Sequence, residues 1–272
     1  MARDSDLRSA LRVKPATRVD LSKRDPADFH GWNEQDAQLA TSERLDRLAD
    51  LHDRLWAEGR HAVLVVLQGI DASGKDGAIR RVMSAFNPQG TNVSSFKVPT
   101  PKEAAHDFLW RVHDRVPAKG EIGVFNRSHY EEVLVVRVHE LVPRSVWAGR
   151  YGLIRDFEKM LAATGTTIVK FFLHIDRDEQ RRRLQERYDN PSKRWKFSLG
   201  DLTERKLWDK YMAAYEDALS KTSTADSPWY VIPANKNWFR DLAITSIVAD
   251  TIAELKPGYP EPEDLPPDLV IE

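Results

Sequence analysis

A short apolar run that leads directly into a glycine-rich turn is the feature that most constrains the fold of this chain. Residues 61–67 read HAVLVVL and are rich in β-branched side chains, which is typical of a strand buried on both faces of a parallel sheet. Residues 69–77 follow as GIDASGKDG, and the segment after them has helical character. The pattern predicts a strand, a tight loop and a helix in direct succession.

The glycine-rich turn matches the phosphate-binding pattern G-x-x-x-x-G-K. Glycines let the backbone wrap closely around phosphate oxygens, the N–H groups of the loop and of the next helix point inward, and Lys75 adds a positive charge. The alternative is a glycine-rich turn with a solvated lysine. The position between a buried strand and a helix favours a phosphate site formed by Gly69, Ala72, Ser73, Gly74, Lys75, Asp76 and Gly77.

Two acidic residues stand in this loop. Asp76 occupies the position where Ser or Thr is usual, and Asp71 lies near the start of the loop. Two carboxylates would repel a phosphate unless a cation lay between them, so we predict that Asp71, and Asp76 with it, bind Mg²⁺ or Mn²⁺. The alternatives are a structural turn aspartate at Asp71 and a helix cap at Asp76.

Strands alternate with helices along the rest of the chain, which predicts an α/β protein with a parallel sheet covered on both faces. We expect one domain over residues 1–272, with a polar surface arm over about 1–40 and a basic, mostly helical lid over about 177–215. The predicted strands are 61–67, 93–98, 121–125, 166–175 and 229–233, and the predicted helices include 41–59, 77–86, 101–115, 146–163 and 238–255.

The third predicted strand delivers a second polar segment, 126–131 (NRSHYE), to the carboxyl edge of the sheet, where such folds place their ligands. Arg127 could grip phosphate with its planar guanidinium, and Asn126 could orient a phosphate or a metal-bound water. The alternative for Arg127 is a surface salt bridge. We interpret His129 as a packed or solvated histidine.

A basic segment stands out from a chain whose net charge is only −1. Residues 177–196 carry eight basic and four acidic side chains. Helical spacing puts Arg183 and Arg187 on one face, and residues 190–191 (NP) break the helix, as expected of a hinged lid that closes over phosphate. A solvated, salt-bridged helix face is the alternative. The predicted contacts to a polyanion are Arg183, Arg187, Lys193, Arg194 and Lys196.

Composition excludes several classes of protein. The chain has no cysteine, which removes disulfides, thiolate metal sites and cysteine nucleophiles. No apolar run approaches the length of a membrane helix, and the N-terminal residues lack the apolar core of a secretory signal, so we expect a cytoplasmic protein without membrane contact. The near-neutral charge argues against a nucleic-acid partner.

Several motifs in the same order resemble the family-2 polyphosphate kinases. They are 65–77 (VVLQGIDASGKDG), 88–90 (PQG), 96–101 (FKVPTP), 125–131 (FNRSHYE), 193–197 (KRWKF) and 229–234 (WYVIPA), within a match from about Val13 to Leu255. The resemblance implies a three-layer P-loop kinase fold with a helical basic lid and Mg²⁺ dependence. It also implies a homo-oligomer, dimer or tetramer, and reversible phosphoryl transfer between inorganic polyphosphate and the nucleotides AMP, ADP and ATP.

The resemblance also implies roles for residues. Asp71, Lys75 and Arg127 correspond to essential phosphate and metal positions, and the basic lid residues to lid or chain-binding ones. We also predict a catalytic role for Asn126, although it departs from the family pattern and this argues against direct metal binding by it. ADP-preferring members have a segment that resembles F-D-R-S-W-Y-N where this chain has FNRSHYE. The difference indicates the subgroup that accepts both AMP and ADP. Glu131 is then in a position to influence which nucleotide is used. The rival interpretations are an ATP-dependent nucleoside monophosphate kinase and a non-catalytic nucleotide-binding or nucleic-acid-binding protein.

Overall fold

A parallel β-sheet organises the chain in the computed structural model, which describes residues 6–262. Within that range the sheet has five strands in the order β2-β3-β1-β4-β5, and every neighbouring pair is parallel. The strands are β1 (Ala62–Gln68), β2 (Thr91–Ser95), β3 (Ile122–Asn126), β4 (Thr166–His174) and β5 (Trp229–Pro233). Because β1 is central and Leu67 pairs with Asn126 of β3, the loop after β1 lies beside the end of β3.

Helices cover the sheet in two groups, which gives three layers and confirms the predicted α/β architecture. The longer helices α2, α3 and α11 pack together, as do α6, α7 and α10. All seven residues of β1 are buried, as expected of a strand covered on both faces. The helices are α1 (Leu7–Leu11), α2 (Glu34–Glu58), α3 (Lys75–Met83), α4 (Pro101–Ala104), α5 (Trp110–His113), α6 (Val135–Val138), α7 (Arg144–Ala163), α8 (Arg177–Asp189), α9 (Leu199–Lys206), α10 (Trp208–Thr222) and α11 (Asn237–Glu254).

The N-terminal arm is shorter and better anchored than the sequence predicts. α2 begins at Glu34 and not at residue 41, because Asn33 caps it by accepting a hydrogen bond from the Asp36 N–H. The first turns of α2 bury only small residues, so the apolar spacing does not reveal them. The Val13 N–H donates to the Trp229 carbonyl at 2.8 Å, which ties the arm to β5.

The helix predicted over 101–115 is wrong, since two short helices, α4 and α5, occupy this range. α4 begins with a capping box between Thr100 and Glu103. The Asp107 carboxylate then accepts a hydrogen bond from the Leu109 N–H at 2.9 Å. This local side-chain bond competes with helical pairing and breaks the helix there.

The predicted lid over about 177–215 follows β4 and consists of α8, a 3₁₀ turn over Arg194–Lys196, α9 and the first half of α10. α8 ends at Asp189, so the break predicted at Asn190-Pro191 is confirmed. Within residues 6–262 no helix is both long enough and apolar enough to cross a membrane.

Candidate active site

The phosphate loop connects β1 to α3 and is shaped by close backbone approaches. φ is +66° at Ala72 and +101° at Gly74. A Cβ at Gly74 would lie 2.3 Å from the guanidinium of Arg240, which is itself buried, so glycine is required on both grounds. At Gly69 a Cβ would lie 2.5 Å from Ser73 Oγ. The loop is therefore held in one tight conformation.

Side chains of α8 hold the outer side of this loop. Gln180 Nε2 donates to the Asp71 carbonyl at 3.1 Å. Arg183 Nη1 donates to the carbonyls of Ala72 and Ser73 at 3.1 and 3.0 Å. Three successive carbonyl oxygens thus face α8 and accept hydrogen bonds from its side chains.

The position of Arg183 corrects its predicted role. Its Nη2 donates to the carbonyls of Ala234 and Asn235, its Nε to Glu179, and its Nη1 to the loop. An arginine has five N–H donors, and all five are engaged in these bonds. Arg183 therefore supports the phosphate loop from behind, and its guanidinium is not available to a polyanion in this arrangement.

Lys75, the first residue of α3, lies inside the loop. Its Nζ donates to the carbonyls of Gly69 at 2.6 Å and Ile70 at 3.2 Å, and only 8% of its surface is exposed. Burial and the nearby charge of Arg127 lower the pKa of Lys75 to about 8. The lysine therefore keeps most of its positive charge near neutral pH, inside the phosphate loop.

Arg127 connects the polar segment 126–131 to the phosphate loop. Its Nη2 donates to Asp71 Oδ1 at 2.6 Å, and its Nη1 donates to Glu131 Oε2 at 3.3 Å. Burial alone would lower the pKa of Arg127, but the charges of Glu131 and Asp71 outweigh it and raise the pKa. The structure thus brings together three residues that the sequence singles out.

Asp76 lies at the other side of the site, where it meets the lid. Asn126 Nδ2 donates to its Oδ1 at 2.9 Å, and Lys196 Nζ lies 3.5 Å from its Oδ2. Partial burial raises the pKa of Asp76, but the Asn126 bond and the Lys196 charge outweigh it and lower the pKa. The segment around Lys196 therefore reaches the start of α3.

Asp71 and Asp76 place two carboxylates at the phosphate loop. In the described part of the chain no three His, Cys, Asp or Glu side chains are grouped so that they could hold a metal by themselves. Mg²⁺ usually keeps several waters and takes one or two carboxylates together with substrate phosphates. This donor set fits such an ion better than a fully protein-coordinated one.

A cavity of about 740 Å³ opens beside the site. Arg127 and Glu131 line this cavity and also a small cleft against Gly69 and Asp71. The cavity wall is largely apolar, with cationic side chains at several points. Residues that line it include Phe96, Lys97, Val98, Pro99, Phe108, Arg111, Val135 and Arg150.

Comparison with known proteins decides the family. The sequence profile described as Polyphosphate kinase 2 matches residues 32–259, which is most of the chain. The chain belongs to the polyphosphate kinase 2 family. This confirms the resemblance noted from its motifs.

Relatives of this polyphosphate kinase 2 chain match it along nearly its full length. It is 56% identical to an AMP/ADP-polyphosphate phosphotransferase from Meiothermus ruber, over 96% of this chain and 98% of that one. It is 49% identical to an ADP-polyphosphate phosphotransferase from Rhodopseudomonas palustris, over 92% and 91%. The crystal structure of polyphosphate kinase 2 from Arthrobacter aurescens TC1 is similar with a TM-score of 0.91 at 42% identity, covering 94% of this chain and 92% of that one.

Three other lid residues predicted for this polyphosphate kinase 2 chain interact with residues of the lid itself. Arg187 is half-buried and close enough to Asp201 to influence its pKa. Lys193 is half-exposed and paired with Glu186 at 2.5 Å. Arg194 donates to the Tyr188 carbonyl. Their contact with a polyanion stays a prediction.

The sequence analysis missed several residues of the site. Arg111 is buried and donates to the Lys97 carbonyl at 2.8 Å, and Arg150 pairs with Glu132 at 2.5 Å beside the cavity. Arg240 is buried against Gly74. For Arg111 the available signal was the 96–101 motif, whose Lys97 carbonyl it binds and which received no role in the sequence analysis; no motif pointed to Arg150.

Proposed function

We propose that this protein transfers phosphoryl groups between inorganic polyphosphate and AMP or ADP. The observation that carries the proposal is that Arg127 and Glu131 line both the cavity of about 740 Å³ and the cleft against the phosphate loop. An acceptor nucleotide in the cavity would therefore present its phosphate to the loop. The activities for which the Meiothermus ruber and Rhodopseudomonas palustris relatives are named support the same reaction.

In the proposed reaction, an oxygen of the acceptor phosphate attacks the terminal phosphorus of polyphosphate. A new phosphorus–oxygen bond forms as the anhydride bond to the rest of the chain breaks, and the shortened chain leaves with the electron pair. The acceptor oxygen is already ionised, so no general base is needed. Catalysis then consists of positioning and charge neutralisation.

The residues of the loop fit these tasks. Lys75 and the loop N–H groups would bind the phosphoryl group, and the charge of Lys75 would stabilise the transition state. Arg127 would neutralise charge on the acceptor side, while Asp71 holds its guanidinium in place at 2.6 Å. Asn126 donates to the Asp76 carboxylate and would hold this carboxylate in position on the side of the site opposite Arg127.

We propose a divalent cation, Mg²⁺ or Mn²⁺, as the cofactor, held by Asp71 and by Asp76. When bound, it would neutralise phosphate oxygens between the two substrates. The proposal is supported by the acidic character of a loop that must bind anions, and by the oxygen-only donor set.

The segment over about 177–215 would act as a lid whose basic part brings Lys193, Arg194 and Lys196 toward the polyphosphate. Its support is the Lys196–Asp76 contact, which already joins this segment to the loop helix. We also propose a single-domain, cytoplasmic homo-oligomer, dimer or tetramer, that binds neither nucleic acid nor membranes, consistent with the net charge of −1.

A donor comparison tests the proposed function. The purified protein is incubated with Mg²⁺, with AMP or ADP, and with either polyphosphate or ATP as donor, and the nucleotides are separated by chromatography. We expect ADP and ATP to form from AMP when polyphosphate is the donor. Phosphorylation of AMP by ATP, with none when polyphosphate is the donor, would contradict the proposal and indicate a nucleoside monophosphate kinase.

A further inference from the structure

A buried polar network lies between β4, α7 and α10, beneath the polar segment 126–131 that follows β3. At its centre, Lys170 Nζ and Glu158 Oε2 form an ion pair at 2.5 Å, and both side chains are almost fully buried. Lys170 also donates to the Tyr130 hydroxyl at 2.9 Å and to the Thr222 carbonyl at 2.8 Å. Each of the three ammonium donors therefore has an acceptor.

Four donors converge on the Glu158 carboxylate. His129 Nε2 and the Tyr130 hydroxyl donate to its Oε1 at 3.2 and 2.8 Å, and Ser227 Oγ joins Lys170 at its Oε2. Burial raises the pKa of Glu158, but the Lys170 charge and the His129 bond outweigh it and lower the pKa to about 2. Loss of any partner would leave a buried polar group unpaired. Because an unpaired buried group is costly, these side chains are held in the observed arrangement.

The network reaches the site through Tyr130, three residues after Arg127. Arg127 has φ of +62°, a region that non-glycine residues rarely occupy because Cβ crowds the backbone. Such a conformation persists only where neighbouring contacts fix it. Here Ser128 Oγ accepts hydrogen bonds from the Tyr130 N–H and from Gln68 Nε2, both at 3.1 Å.

We propose that Tyr130 is a positioning residue for Arg127. Its hydroxyl ties the site segment to the Glu158–Lys170 ion pair and so holds the strained turn that places the Arg127 guanidinium beside Asp71. The inference rests on the proposed function, in which Arg127 acts on the transferring group. Tyr130 itself is fully buried and acts only through the backbone of this turn.

The first test replaces Tyr130 by phenylalanine, which keeps the ring and removes the hydroxyl. We expect kcat to fall about tenfold, because small displacements of a charged group cost catalysis steeply, while both KM values stay within about twofold. Tyr230→Phe is the matched control: Tyr230 is also fully buried, and its hydroxyl accepts from Arg8 Nε at 3.3 Å. This control should lose stability and keep its kcat.

A double-variant cycle shows whether Tyr130 acts through Arg127. In an Arg127→Lys background, Tyr130→Phe should lower kcat by less than about twofold, because the group that it positions is already gone. Additive losses would overturn the proposal. So would a Tyr130→Phe enzyme with unchanged kcat, or one whose loss is equalled by Tyr230→Phe.

A second readout needs no turnover and separates this inference from the proposed function. Proton exchange of the Arg127 guanidinium with solvent is measured by ¹⁵N NMR, with its signals assigned by their absence in Arg127→Lys. We expect faster exchange in Tyr130→Phe than in the wild type and in Tyr230→Phe. An unchanged rate would overturn the positioning role, whereas absence of polyphosphate-dependent transfer in the wild type would overturn only the proposed function.

Discussion

Replacing Lys75 by methionine should stabilise the fold and remove most of the phosphoryl transfer. Methionine keeps a long apolar stem and removes the charge from a side chain that is 8% exposed. In the folded protein the pKa of Lys75 falls from 10.5 to about 8, first because burial removes water and then because Arg127 repels the ammonium. At pH 7 the bound proton therefore costs the folded state about 3 kcal/mol relative to the unfolded chain.

Two opposing effects determine how much Lys75→Met raises the free energy of unfolding. Methionine removes this cost, but it also removes the hydrogen bonds from Lys75 to the carbonyls of Gly69 and Ile70, each of which stabilises the fold by about 1 kcal/mol. The net increase in the free energy of unfolding at pH 7 should be about 1 to 2 kcal/mol. Catalysis should fall more than about 100-fold, because a charge on the transferring group is lost.

The pH dependence provides the sharper test. Between pH 8 and 10.5 the unfolded chain binds the Lys75 proton and the folded protein does not, so wild-type stability rises with pH over this interval. The cost is fully present below pH 8 and is gone above pH 10.5. The stability difference between Lys75→Met and the wild type should therefore decrease by about 2 kcal/mol from pH 7 to pH 9.5, to zero or slightly below.

Urea unfolding followed by tryptophan fluorescence measures both quantities, since the chain has eight tryptophans. Lys119→Met is the control, because Lys119 is exposed and its replacement should leave the stability nearly unchanged at both pH values. An Lys75→Met variant whose stability difference from the wild type is the same at pH 7 and pH 9.5 would refute the reasoning.

Three further predictions concern the ligands of the site. Asp71→Asn should raise the Mg²⁺ concentration for half-maximal activity about tenfold, because one anionic ligand is lost; an unchanged magnesium titration would make Asp71 a structural residue. Lys193→Ala combined with Arg194→Ala should raise the KM for long polyphosphate and not that for nucleotide, with a smaller effect at high salt. If both KM values rise together, the segment closes the site without tracking the donor. Glu131→Asn should lower kcat/KM for AMP relative to ADP, and an unchanged ratio would remove Glu131 from acceptor choice.

Much of the fold could be predicted because its determinants are local. The β-branched run before Gly69 specifies a buried strand, and the loop that follows has glycines where side chains would collide with Arg240 and Ser73. The start of α2 could not be predicted from apolar spacing, since its first turns depend on the Asn33 cap and bury only small side chains.

The site was harder to predict wherever a role depends on a partner distant in sequence. The sequence shows that Arg183 is basic, but not that α8 packs behind the loop and uses all five of its donors on backbone and Glu179. Lys170 likewise stands within an apolar strand pattern, and Glu158 lies on a helix before it. Only tertiary packing brings these two charges together under Tyr130.

The most direct test of the proposed function is a ³¹P NMR time course with polyphosphate, AMP and Mg²⁺ in the absence of ATP. The account predicts one new nucleotide phosphoryl group, the β-phosphate of ADP or the γ-phosphate of ATP, for each terminal phosphoryl group that the polyphosphate loses, without accumulation of inorganic phosphate. Release of inorganic phosphate in place of nucleotide phosphorylation, or no change in the polyphosphate signals, would contradict it.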